Sequence, residues 1–66
     1  MNDEQPLFMI EPASGRMDLR QTFVGYKEAC AGARLASYDD DVWLISEVDD
    51  GAVVAIAYGL QIFEAQ

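Results

Sequence analysis

The sequence has no histidine and a single cysteine, and both absences limit its chemistry. Histidine is the commonest general base and metal ligand, and without it Cys30 has no usual partner to activate its thiol. One cysteine makes no intramolecular disulfide, which fits a reducing compartment better than a secreted setting. We therefore expect a cytoplasmic, non-catalytic protein with no metal site.

Nucleotide-binding and membrane-spanning patterns are missing as well. No glycine-rich loop follows a strand and opens a helix, so the sequence predicts no cofactor. The longest run without a charge, from Gly51 to Phe63, has 13 residues. A transmembrane helix needs about 20. Residues 1–5 are acidic and polar, whereas a signal peptide starts with basic residues. Neither membrane insertion nor export is expected.

Basic residues are scarce, and they stop halfway along the chain. Twelve acidic residues face four basic ones, which gives a net charge of −8. No base follows Arg34, although seven acidic residues do. Such a chain should be repelled by nucleic acid and anionic lipid. The charge has two interpretations, either simple solubility or attraction to a basic protein partner.

With 66 residues the chain forms one domain with a marginal core. The apolar run 7–10 predicts a strand, and the alternation over 17–23 predicts a second strand paired with it in a hairpin. From Tyr26 the period changes to that of a helix, with Gly25 as N-cap and with Lys27 and Arg34 pointing outward. The helix face toward the sheet is predicted to contain Tyr26, Ala29, Cys30, Ala33 and Ser37.

The second half predicts another hairpin. Strands over 42–48 and 52–58 flank Asp49, Asp50 and Gly51, and Asp-Gly is typical of a type I′ turn. Residues 60–63 either extend the last strand past a bulge at Gly59 or form a separate short edge strand. The predicted fold is α+β, a small antiparallel sheet with one helix packed on one face, in the order ββαββ, with βαββ as the alternative.

The last long strand is apolar on both sides, although one helix covers only one face. Small side chains at 53, 55 and 57 suit the helix. The larger ones would then need another cover, together with Trp43 and Ile45. A homodimer, a partner protein, or the chain's own N-terminal hairpin or tail would supply it. The residues predicted for self-association are Val54, Ile56 and Tyr58.

Acidic residues lie at both ends of the predicted third strand, about 25 Å apart at the usual rise per residue. An acidic edge of this length could stand in for a short stretch of DNA backbone. Ordinary solvated turns are the alternative, and the spacing does not match a calcium-binding loop. The predicted partner-binding residues are Asp39, Asp40, Asp41, Glu47, Asp49 and Asp50, with Tyr38 or Trp43 as apolar anchors.

The segments 25–29, 33–36, 41–45 and 49–51 together resemble small phage and prophage proteins of the anti-CRISPR type, in which a helix precedes a hairpin. The resemblance spans roughly residues 23 to 58 and rests on this pattern, not on a diagnostic motif. It implies an inhibitor, made in a bacterial host, that blocks the DNA-binding surface of a Cas complex. The alternative is a regulatory or assembly module, antitoxin-like or an adaptor, that binds a protein through its apolar sheet face.

Overall fold

The structure is a computed structural model that describes residues 5–39 and 41–65. Five strands and one α-helix form it, with short 3₁₀ turns at Met17–Leu19 and Ser37–Asp39. The elements in chain order are β1 (Leu7–Pro12), β2 (Gln21–Val24), α1 (Tyr26–Ala36), β3 (Trp43–Glu47), β4 (Val53–Tyr58) and β5 (Gln61–Glu64).

The strands form one antiparallel sheet in the order β2-β1-β3-β4-β5, and α1 packs across one face. The predicted α+β class is confirmed. The element order is ββαβββ, because the last apolar segment is a separate edge strand that pairs with β4. The β1–β2 hairpin also forms, but β2 begins only at Gln21. The residues predicted to start that strand form a 3₁₀ turn, closed by a hydrogen bond from Leu19 N–H to the Arg16 carbonyl.

The helix begins after Gly25, as predicted, and Gly25 has a φ of 92° that favours glycine. Its sheet-facing side is the predicted one, with Ala29 and Ala33 fully buried and Lys27 and Arg34 exposed. Small residues here bring α1 close to the sheet. At Gly32, a Cβ atom would lie 2.4 Å from Cζ of Phe23. The glycine therefore makes room for an aromatic ring of β2.

The core lies between α1 and the sheet and contains Phe8, Ile10, Ala29, Ala33, Trp43, Ile45, Ala55 and Ala57. The prediction that Trp43 and Ile45 lie on the face away from the helix is wrong. Ile45 pairs with Ala55 and Trp43 pairs with Ala57, which places all four side chains under α1. Because β3 is apolar on both sides, its alternation alone did not reveal which face meets the helix.

The type I′ turn is not at the predicted Asp-Gly pair. In that loop Gly51 has positive φ but Asp50 does not, and the loop closes with a hydrogen bond from Glu47 N–H to the Ala52 carbonyl. Positive φ at two successive residues occurs instead at Gly59 (59°) and Leu60 (67°), between β4 and β5. A leucine therefore occupies a left-handed conformation that costs about 1–2 kcal/mol.

Leu60→Gly is expected to raise the unfolding free energy by about 0.5–1 kcal/mol. Glycine removes the Cβ strain, and part of this gain is offset by the greater entropy of the unfolded chain. Urea titration followed by circular dichroism measures the change. Leu19→Gly is the control, since Leu19 is also partly exposed but lacks positive φ, and it should destabilise the protein. A loss of stability in both variants would contradict the strain at Leu60.

Candidate functional site: the open sheet face and the acidic end

The sheet face turned away from α1, called the open face below, follows from the strand register. Residues directly opposite each other in paired strands point to the same side. One row across the open face consists, from β1 to β5, of Glu11, Leu44, Ile56 and Phe63. The polar residues of the whole open face are Glu11, Thr22, Ser46 and Gln61. The larger apolar and aromatic residues of the open face are Leu7, Met9, Val24, Leu44, Val53, Ile56, Tyr58 and Phe63.

A β-bulge decides which valine belongs to this face. Ile45 pairs with Ala55, but Ser46 pairs with Val53, so Val54 is the extra residue on β4. Val54 packs against the core, and Val53 takes its place on the open face, 47% exposed. Of the three residues predicted for self-association, Ile56 and Tyr58 lie on the open face. Val54 does not, because the bulge interrupts the strict alternation from which it was inferred.

No element among residues 5–39 and 41–65 covers the open face. The N-terminal hairpin and the C-terminal segment, either of which could have folded over it, are both strands of the sheet itself. Phe63 and Tyr58 consequently remain 46% and 48% exposed. The outer face of an antiparallel sheet is usually polar where water is its neighbour. The composition of the open face is therefore typical of a sheet face that is covered by another layer of protein.

Acidic side chains gather at one end of the sheet, called the acidic end below. It contains the end of β3, the following loop, the end of β5 and the start of α1. Its acidic residues are Glu28, Glu47, Asp49, Asp50 and Glu64, and Lys27 is the base in that region. Sequence reasoning missed Glu28 and Glu64, because only the tertiary fold brings β5 and α1 beside the loop. Arg16, Arg20 and Arg34 belong to the opposite end.

The acidic residues predicted to form one continuous edge are separated in the fold. Asp41 precedes β3 at the end with the arginines, whereas Glu47, Asp49 and Asp50 belong to the acidic end. Between them β3 is the central strand of the sheet, so it offers no edge. Asp40 and the side chain of Asp39 lie outside the described residues.

The two predicted apolar anchors also differ. Tyr38 is 74% exposed and free to make a contact, whereas Trp43 is 6% exposed and belongs to the core. Proposing Trp43 as a surface anchor was therefore wrong, because its strand turns the indole toward α1. The Trp43 indole N–H has no hydrogen-bond acceptor among the described residues.

A recess of about 310 Å³ opens at the acidic end beside the first turn of α1. Its lining residues are Phe8, Tyr26, Glu47, Val54, Glu64 and Ala65. The Tyr26 hydroxyl donates a hydrogen bond of 3.1 Å to Glu64 Oε2, and its ring meets that of Phe8 edge to face at 5.4 Å. Burial, followed by the neighbouring Cys30 and Glu64, raises the pKa of Tyr26 well above its usual value.

This shift predicts a loss of stability in alkali. Tyr26 keeps its proton in the folded state at a pH where the unfolded chain releases it, so unfolding is favoured as the pH rises above about 10. The unfolding free energy of the native protein should therefore fall between pH 9 and pH 11 by more than that of Tyr26→Phe. Urea titrations at the two pH values measure the difference. Equal losses in the two proteins would contradict the shift.

Two further findings concern the part of the chain that the structure describes, one on metal ligands and one on helix length. No group of three or more candidate ligands among cysteine and acidic residues is positioned to hold a metal ion there. None of the described helices has the length and hydropathy to cross a bilayer.

Comparisons of the chain with protein family models, with curated proteins and with solved structures find no match. The open face and the acidic end are thus the features from which a function can be argued.

Proposed function

We propose that this chain is a non-catalytic binding protein that docks on another protein through its open face. The observation that supports this is the row of half-buried Leu44 and Ile56 and exposed Phe63, on a face that no described element covers. Removing apolar area from water contributes about 25 cal/mol per Å², and a five-stranded sheet offers a broad, ordered surface for it. Such a protein acts as an adaptor or regulatory module.

Site-specific photo-crosslinking tests this function. A benzoylphenylalanine side chain replaces Phe63 on the open face, and in the control it replaces Leu35, which is 74% exposed on α1. Irradiation in the native host should give a discrete adduct only from position 63. The same adducts from both positions, or none from position 63, would reject docking through the open face.

We propose a second function, inhibition of a nucleic-acid-binding protein, because the charge of the chain is segregated. The acidic end presents Asp49 and Asp50 beside Glu47 and Glu64, and the bases other than Lys27 belong to the opposite end. A basic groove would attract this end, and occupying the groove would displace nucleic acid. A subunit of a Cas effector is the partner implied by the resemblance to anti-CRISPR proteins.

Competition with DNA tests the inhibitor proposal on a purified Cas effector. Native protein should displace target DNA at 50 mM salt and lose this effect at 500 mM, because salt screens charge pairs. Asp49→Asn combined with Glu47→Gln should weaken displacement, whereas Asp41→Asn, at the other end of the sheet, should leave it unchanged. Displacement that is insensitive to salt would overturn the proposal.

A further inference from the structure

We infer that the occupant of the open face is an amphipathic α-helix with basic flanks, supplied by a partner protein. This inference rests on the proposed docking function and names the chemistry of the partner. Helices of this kind place apolar side chains, spaced three and four residues apart, into an apolar groove. Three features of the open face support this partner over a second copy of the chain: a groove, the position of its charge, and its dimensions.

The groove lies between β4 and β5 and has a volume of about 250 Å³. Val53, Ile56 and Phe63 line the groove together with Ala55. Glu64 and Ala65 close it toward the acidic end. A large apolar side chain of a helix fits this volume. The carboxylate of Glu64 itself points to the α1 side, where it accepts the hydrogen bond from Tyr26.

The charge of the open face favours a basic partner. Among the described strand residues of this face Glu11 is the charged one. It is half-buried, with Leu44 opposite on β3, and no described basic side chain forms an ion pair with it. Covering Glu11 without a positive charge would leave a desolvated carboxylate, which is costly. A second copy would add another Glu11 and a further net charge of −8. A helix with lysine or arginine flanks instead neutralises Glu11 and is attracted by the net charge of −8.

The dimensions of the open face match one helix. Its strands have four to six residues, which corresponds to about 13–20 Å. On the opposite face α1 has 11 residues, about 16 Å of helix, and covers the same strands. A partner helix of similar length would complete a three-layer arrangement. The covered area is on the order of 500 Å² per partner, which is small for a specific interface and predicts a dissociation constant in the micromolar range.

A synthetic peptide tests this inference directly. The probe is a 14-residue amphipathic peptide of leucine and lysine, and the control peptide has the same composition in a permuted order that forms no apolar stripe. Isothermal titration calorimetry at 150 mM salt should give micromolar affinity for the first peptide and at least tenfold weaker binding for the second. Amide chemical shifts should change at Leu44, Ile56 and Phe63 more than on α1. Equal affinity for the two peptides would overturn the inference.

Protein variants separate groove binding from simple charge attraction. Ile56→Asp makes the chain more acidic, so attraction by charge alone would strengthen binding, whereas loss of the groove should weaken it at least tenfold. Leu35→Asp adds the same charge on the outer side of α1 and should not weaken binding. Phe63→Ser, on an edge strand, gives a second test if circular dichroism shows that Ile56→Asp is unfolded. Unchanged affinity in a folded groove variant would reject the inference.

Together, the crosslinking and peptide-binding experiments distinguish a wrong partner from a wrong docking function. Adducts from position 63 with a protein, together with no binding of the leucine and lysine peptide, would reject the basic helix and leave docking through the open face intact. Adducts of the chain with itself would identify a second copy as the occupant and reject the inference in the same way. Absence of both adducts and peptide binding would reject the inference and the docking function together.

Discussion

Ile45→Ala is expected to leave much of the chain unfolded at 25 °C. Ile45 is fully buried in the central strand, with Ile10 on one side and Ala55 on the other. Truncating a buried isoleucine to alanine costs about 2–5 kcal/mol, because the cavity is only partly filled by its neighbours. A domain of this size has a marginal core, so this cost is a large part of its stability. Circular dichroism and urea titration measure the loss.

Leu44→Ala is the matched control, since Leu44 directly precedes Ile45 in the same strand and points to the open face. Its side chain is only half-buried, so truncation should cost less than about 1 kcal/mol. The contrast between neighbours tests the assignment of the two faces. If Leu44→Ala destabilised the protein as much as Ile45→Ala, the open face would be buried in the isolated chain.

Ser37→Ala should lower the melting temperature by about 10 °C, with a loss of about 1–3 kcal/mol. Ser37 is fully buried at the end of α1, where its hydroxyl donates a 2.8 Å hydrogen bond to the Arg34 carbonyl. The same oxygen accepts a 3.0 Å hydrogen bond from Leu60 N–H. Without the Ser37 hydroxyl, the Leu60 amide in the strained turn loses its acceptor. The conformation of Leu60 is thus stabilised by a residue at the end of α1.

Differential scanning calorimetry compares Ser37→Ala with Ser14→Ala, whose serine is exposed in the connection between β1 and β2. Ser14→Ala should leave the melting temperature within about 2 °C of the native value. A melting temperature of Ser37→Ala in that same narrow range would show that the hydroxyl does not couple α1 to the β4–β5 turn.

Local patterns predicted the helix well because its signals are contained in a single segment. The 3.6-residue spacing from Tyr26 to Ser37 correctly identified the buried face, and Gly25 correctly marked its start. The strands were also found, apart from the start of β2, because apolar runs separated by glycine and aspartate are typical of hairpins. The α+β class followed from these segments together.

Tertiary contacts decided the features that sequence patterns missed. The strongest turn signal was Asp50-Gly51, yet the type I′ geometry occurs at Gly59 and Leu60. There the hydroxyl of Ser37, 23 residues away in sequence, accepts a hydrogen bond from Leu60 N–H. The bulge exchanged the faces of Val53 and Val54. The site was predicted in part: the apolar surface was expected, but its residues were assigned from a strict alternation that the bulge breaks.

The two edge strands have a consequence for concentrated solutions of the protein. β2 and β5 have four residues each and are the shortest strands of the sheet. Short edges expose few unpaired N–H and C=O groups, so they are poor templates for adding further strands. Association through the open face, in contrast, stops at one partner, because a covered face has no apolar surface left to bind another. The fold thus combines a large apolar binding surface with short edge strands that disfavour fibril growth.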